Sequence, residues 1–190
     1  AASDVYKRQR ERVQKYDIDC DLKSGYLDVA IKPRHMRDLE VHHKMLEKYK
    51  LAHPFRILSK EETRNAIGTK AYIGALRNDG NGHVHPLNLC IGEARAAVSL
   101  GTTIYENSPV TEIKRGTKAT VVTEGGSVTA DFVVLAGNAY HFLERKLKGI
   151  LFPVNSFIIG SEPLSEEIVN QINPHDLAVC DPNYILAVSY

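Results

Sequence analysis

Three cysteines, Cys20, Cys90 and Cys180, are scattered along 190 residues. Their odd number and wide spacing exclude a disulfide framework and a Cys-x-x-Cys zinc pattern. The plain reading is a reduced, cytoplasmic protein. An excess of one charge sign is also lacking, since 24 basic residues face 23 acidic ones. That leaves no electrostatic footprint for nucleic acid or an anionic membrane. No apolar run approaches the roughly 20 residues of a membrane span. No signal-peptide pattern, internal repeat or low-complexity tract is visible. Hydrophobic residues make up 43% of the chain, enough for a sizeable core in one domain or a domain plus part of another. Ala1 to Gln9 and Ala187 to Tyr190 resemble translated adapter DNA and read as non-native ends of an internal fragment.

Between those ends the pattern is mixed. Arg10 to Lys15 reads as the tail of a helix, and Ile18 to Ile31 as strand segments around a turn at Lys23-Ser-Gly25. Pro33 breaks that pattern. Arg34 to Lys50 carries Met36, Leu39, His43, Leu46 and Tyr49 at helical spacing. His42 and His43 are adjacent and point in different directions, unlike the i, i+4 pair of a helical metal site. Phe55 to Leu58 reads as a short strand. Ser59 then stands three residues before Glu62, the capping-box spacing of a short helix that stops before Gly68. Ala71 to Leu76 reads as a strand leading into a turn-rich loop, Asn78 to Gly82. Pro86 suits the first turn of a helix with a Leu87, Ile91, Ala94 and Val98 stripe, and Gly101 suits its end.

Next come strand patterns at Thr102 to Tyr105 and Val110 to Ile113. Thr117 to Thr129 reads as two strands joined by a hairpin at Gly125-Gly126. Phe132 to Leu135 is a continuous β-branched run, the pattern of a strand buried on both faces. It runs into Ala136-Gly137, whose small side chains let a backbone or flat ligand come close. The remaining expectations are a helix over His141 to Leu147, a strand over Leu151 to Ile159, a helix over Ser165 to Asn170 and a strand over Asp176 to Cys180.

The run Tyr72-Ile-Gly-Ala-Leu to Gly82-His-Val-His-Pro-Leu-Asn-Leu89 resembles the D-amino-acid-oxidase superfamily of FAD-dependent amine oxidoreductases. So do Val134-Leu-Ala-Gly-Asn-Ala-Tyr140 and Ser161-Glu-Pro-Leu-Ser165, and together they are most similar to its gamma-glutamylputrescine oxidase branch. The resemblance implies an α/β (α+β) fold with two parts: an FAD/NAD(P)-binding domain with a β-meander, and a substrate domain with an antiparallel sheet. Residues 10–70 and 149–186 would belong mainly to the substrate domain and residues 71–148 to the FAD domain, with crossings near Lys70 and Lys148. The implied reaction is oxidation of a substrate C–N bond by FAD, with oxygen reduced to hydrogen peroxide. The partners are then a small-molecule amine and oxygen.

Carried over by position, the resemblance places Val110 against the adenosine part of FAD through its backbone. Ala136 and Gly137 form the turn passing close to the cofactor. His83 and His85 fall between flavin and substrate domain. There an imidazole can hydrogen-bond the flavin or substrate, or hold a proton. His83 is the candidate catalytic residue and His85 a substrate-proximal one, with a structural role at the helix cap as its alternative. His-x-His on a strand also suits a metal, but no third ligand stands nearby. The Gly-x-Gly-x-x-Gly turn that seats the FAD pyrophosphate does not occur in the 190 residues, so this stretch alone is expected to bind FAD weakly and, with open sheet edges, to dissolve poorly. Alternative readings are a glycine, sarcosine or D-amino-acid oxidase or dehydrogenase, a non-catalytic α/β binding module, and a His-rich metal protein.

Overall fold

The computed structural model describes residues 2–49, 55–138, 143, 149 and 157–182. The chain divides into two compact units, residues 1–102 with 161–190, and residues 103–160.

The first unit is built on a four-stranded sheet in the order β2-β3-β1-β7. These are β1 (Lys23–Ala30), β2 (Phe55–Leu58), β3 (Gly74–His83) and β7 (Ala178–Cys180). β3 runs antiparallel to both β1 and β2, and β7 lies parallel to β1. Helices α1 (Ala2–Lys15), α2 (Pro33–Lys48), α3 (Lys60–Ala66), α4 (Pro86–Ser99) and α5 (Glu166–Ile172) complete the unit. Strand alternation sorts the sheet into two faces. Leu27, Val29, Leu58 and Ala75 pack with Ala66, Ile67 and Leu177 into the core, and Tyr72 lies against it. On the other face Met36 of α2 sits against Gly74, where an added Cβ would strike its sulfur.

Local chemistry explains the helix starts. Ser59 accepts from the Glu62 amide at 3.2 Å while the Glu62 carboxylate accepts from the Ser59 amide at 2.8 Å, the reciprocal capping box. Pro33 and Pro86 open α2 and α4, where a missing N–H costs nothing. Gly101, at φ 93°, follows the end of α4 in the left-handed conformation that suits glycine. Ser165 caps α5.

Two expected turns are parts of strands. Lys23-Ser-Gly25 lies within β1, and the glycine-rich run from Asn78 to Gly82 lies within β3. The register accounts for both. Ser24 pairs with Gly82 and Tyr26 with Asn78, so Asp79, Gly80 and Asn81 bulge opposite Gly25. Gly25 takes φ 113° there, and the Asn78 side chain accepts from the amides of Gly80 and Asn81. The turn chemistry is therefore present, but it builds a bulge instead of ending the strand. Pairing along β1 also keeps β3 in the first unit.

The second unit contains a meander, β4 (Val110–Lys114), β5 (Ala119–Thr123) and β6 (Gly126–Ala130), antiparallel in that order. Thr123 pairs with Gly126, which places the hairpin loop at Glu124-Gly125, one residue earlier than expected. Phe132 to Leu135 does not form the expected strand buried on both faces. Phe132 is 89% and Val134 86% exposed, and no described strand pairs with the segment. A central strand needs neighbours on both sides, and the described residues supply none. Thr102 to Tyr105 likewise has no described strand partner. Most of the expected helix over His141 to Leu147 and most of the strand over Leu151 to Ile159 lie outside the described residues.

Candidate functional site

The first unit holds both candidate histidines. His83 ends β3, with Lys23 of β1 as its register partner. Its Nε2 lies 2.9 Å from the Asp176 carbonyl oxygen and 3.4 Å from the Asp176 carboxylate. The Asp176 carboxylate is also 3.8 Å from the Lys23 ammonium, which lies 2.9 Å from Asp21. Hydrogen bonding to Asp21 and its charge, with that of Asp176, push the Lys23 pKa above the ordinary lysine value. The end of β1–β3 thus carries a polar cluster of His83, Asp176, Lys23 and Asp21.

His85 does a different job. It is the N-cap of α4, and its Nδ1 accepts from the Asn88 amide at 3.2 Å. Its own amide donates to the Cys20 carbonyl at 2.7 Å. With Nδ1 committed to the cap, the neutral ring carries its proton on Nε2. His83 reaches the same tautomer by another route, because a carbonyl only accepts and Nε2 must therefore donate. Its Nδ1 has no partner among the described residues. His83 and His85 are not a metal pair, since one ring turns to Asp176 and the other to the helix start. No group of three or more metal-ligating side chains occurs among the described residues.

The second unit holds Val110, Ala136 and Gly137. Val110 opens β4, an edge strand of the meander, so one of its two rows of backbone groups has no partner in that sheet. A bulge follows it, between Val110 and Glu112. Ala136 and Gly137 are exposed. Just before them in the chain, Val133 and Leu135 line a cleft of about 400 Å³ with Ile113, Ala119, Gly116 and Arg115. An open edge backbone and two small exposed residues fit the close approach of a flat, partly polar group. A pyrophosphate cradle is not among the residues present, since the glycine turn is absent from the sequence.

The sequence matches the family described as DAO, FAD dependent oxidoreductase, over residues 2–189. The chain belongs to this FAD-dependent oxidoreductase family. It is 38% identical over 179 residues to gamma-glutamylputrescine oxidoreductase of Escherichia coli, covering 93% of this chain and 42% of that protein. It is 36% identical over 186 residues to the probable oxidoreductase OrdL of Haemophilus influenzae, with the same coverage. The chain therefore spans less than half the length of these relatives. Among solved structures, glycine oxidase from Geobacillus kaustophilus superposes with a TM-score of 0.61 at 27% identity, covering 70% of this chain and 37% of that one. L-proline dehydrogenase from P. horikoshii shares the fold, with a TM-score of 0.72 over 95% of this chain and 50% of that one, at 21% identity. The family's cofactor is FAD, and the mixed α/β architecture is that of its solved members.

Sequence reasoning missed Asp176, Lys23 and Asp28. Asp176 lies 93 residues from His83, and nothing in a single sequence links them. Asp28 alternates with core residues along β1, half-buried, opposite Leu76 and Cys180. Burial raises its carboxyl pKa above the ordinary value, partly offset by His42 and a hydrogen bond from Tyr26. A carboxylate within an apolar alternation was the available signal.

Proposed function

We propose that the protein carrying this chain oxidises an amine of the γ-glutamylputrescine type, using FAD and oxygen. The observation that carries this reading is the 38% identity to gamma-glutamylputrescine oxidoreductase across 93% of the chain. A substrate carbon next to nitrogen loses a hydride and the nitrogen loses a proton, giving an imine. Water hydrolyses the imine to an aldehyde and an amine or ammonia. When bound, FAD supplies the acceptor for the hydride and passes its two electrons to oxygen, giving hydrogen peroxide. In this reading His83 takes the proton from the substrate nitrogen through Nδ1, and His85 orders the start of α4 beside it. Val110 meets the adenosine part of FAD through its edge backbone, and Ala136 and Gly137 admit the cofactor at the end of the Phe132–Leu135 segment. The meander then belongs to the FAD domain and the four-stranded sheet to the substrate domain. Three unpaired cysteines suit work in the reducing cytoplasm.

Similarity to glycine oxidase supports a second reading, in which the substrate is a small amino acid. A peroxide assay of the flavin-loaded protein over a panel of amines separates the two. Peroxide formed preferentially with γ-glutamylputrescine is expected. Preference for glycine or sarcosine supports the second reading, and no peroxide with any amine refutes both.

A further inference from the structure

We propose that Asp176 is the positioning residue of His83: its backbone carbonyl and its carboxylate together hold the ring as the Nε2–H tautomer and leave Nδ1 as the open proton acceptor. This rests on the reading that His83 takes up the substrate proton. The carbonyl only accepts, so it fixes which nitrogen carries hydrogen, and the carboxylate lies 3.4 Å from the same nitrogen.

The Asp176 turn is braced by its own hydrogen bonds. The Asn173 side chain donates to the Leu177 carbonyl at 2.9 Å and accepts from the Leu177 amide at 3.0 Å. The Asp176 amide donates to the Asn173 carbonyl at 3.1 Å. Leu177 is buried in the core, and an added Cβ at Gly25 would strike it. Asp176 itself sits at φ 49°, a left-handed conformation that Asp and Asn tolerate better than most residues. On the opposite side His83 is held by its strand pairing with Lys23, whose ammonium also faces the Asp176 carboxylate. The ring is thus fixed from two elements far apart in sequence. A purely structural staple between the β7 turn and the sheet would use the same contact, so the test must separate the two roles.

The test uses the flavin-loaded protein that carries this chain. Nitrogen-15 NMR of labelled histidine reads the tautomer of His83 directly, assigned by its loss in His83→Gln. Steady-state kinetics with γ-glutamylputrescine are then compared for wild type, His83→Gln and Asp176→Asn. Gln keeps an N–H near the Nε2 position but cannot take up a proton. Asn keeps the carbonyl and the left-handed conformation but removes the charge. The expected results are an Nε2–H ring in wild type, and a fall in kcat of roughly a hundredfold or more in His83→Gln, the usual contribution of a general base. Asp176→Asn should lower kcat roughly tenfold with KM and melting temperature unchanged, since lost alignment and charge act on the reacting state. A wild-type ring protonated on Nδ1 overturns the positioning role. So does unchanged kcat in Asp176→Asn beside an impaired His83→Gln. Full turnover in His83→Gln instead overturns the catalytic reading of His83, and this proposal with it.

Discussion

Replacing Gly82 by alanine tests the arrangement that delivers His83. Gly82 faces Ser24 across the β1–β3 pair, and a Cβ built on it runs into the backbone carbonyl of Lys23. A flexible side chain could turn aside, but a strand carbonyl can move only with its strand. Two outcomes are open to Gly82→Ala: overpacking at a cost of about 1–3 kcal/mol, or release of the last two register pairs. Losing one or two ladder hydrogen bonds costs about 0.5–1.5 kcal/mol each. Either way the local cost is about 1–3 kcal/mol, and it falls on the end of the strand, beyond the bulge. Native-state hydrogen exchange of the protein carrying this chain is the suitable assay, because it reads local opening. Amides near Lys23 and His83 should exchange about 5- to 150-fold faster, at a factor of ten for every 1.4 kcal/mol. Amides nearer Ala30 and Gly74 should barely change. Gly125→Ala is the control, since its added Cβ meets nothing within 4 Å. Wild-type exchange at Lys23 and His83 in Gly82→Ala would refute the argument that close backbone approach sets this register.

Ser59→Ala removes one half of the capping box and should cost about 1 kcal/mol in denaturant unfolding. The Ser59 amide and hydroxyl, with Arg56 behind them, hold the Glu62 carboxyl below its ordinary pKa. A depressed carboxylate stabilises the fold above the unfolded value near 4.5 and loses that contribution as pH falls through the folded value. The Ser59→Ala deficit should therefore shrink in acid, and a deficit constant from pH 7 to pH 3 would contradict it. Asp28 has the opposite sign, because burial raises its carboxyl and makes ionisation costly in the folded state. That cost is present at neutral pH and vanishes below the unfolded value near 3.8. Asp28→Asn should then leave stability at pH 7 unchanged or higher, and a clear loss would show that the charge is needed. Leu27→Ala, at a fully buried position, should cost about 2–5 kcal/mol in the same unfolding measurement.

Much of the first unit was legible because its signals are local. The capping box at Ser59 and Glu62, the proline opening α4, the glycine after α4 and the strand at Phe55–Leu58 depend on residues within a turn of each other. What was misread depends on pairing. Asn78 to Gly82 has the composition of a loop and does make a turn-like bond from the Asn78 side chain, but β1 on one flank keeps the chain in the sheet. The same holds for Lys23-Ser-Gly25, which bends as one side of the bulge. The candidate site was legible only in part. The histidines stand in a motif, while Asp176 reaches His83 across 93 residues through a turn whose own residues, Asn173 and Pro174, announce only a turn.

Phe132 to Leu135 shows the limit of a strand read from composition. Val133 and Leu135 line the cleft together with meander residues, while Phe132 and Val134 are the more exposed alternate pair. Apolar residues on both faces predict two covering layers, and the described residues supply one. Leaving Phe132 and Val134 in water forgoes roughly 1.5–3 kcal/mol for each side chain, a cost that composition alone cannot explain away. The relatives that match this chain are more than twice its length. A second layer on that face is therefore what the apolar pattern calls for.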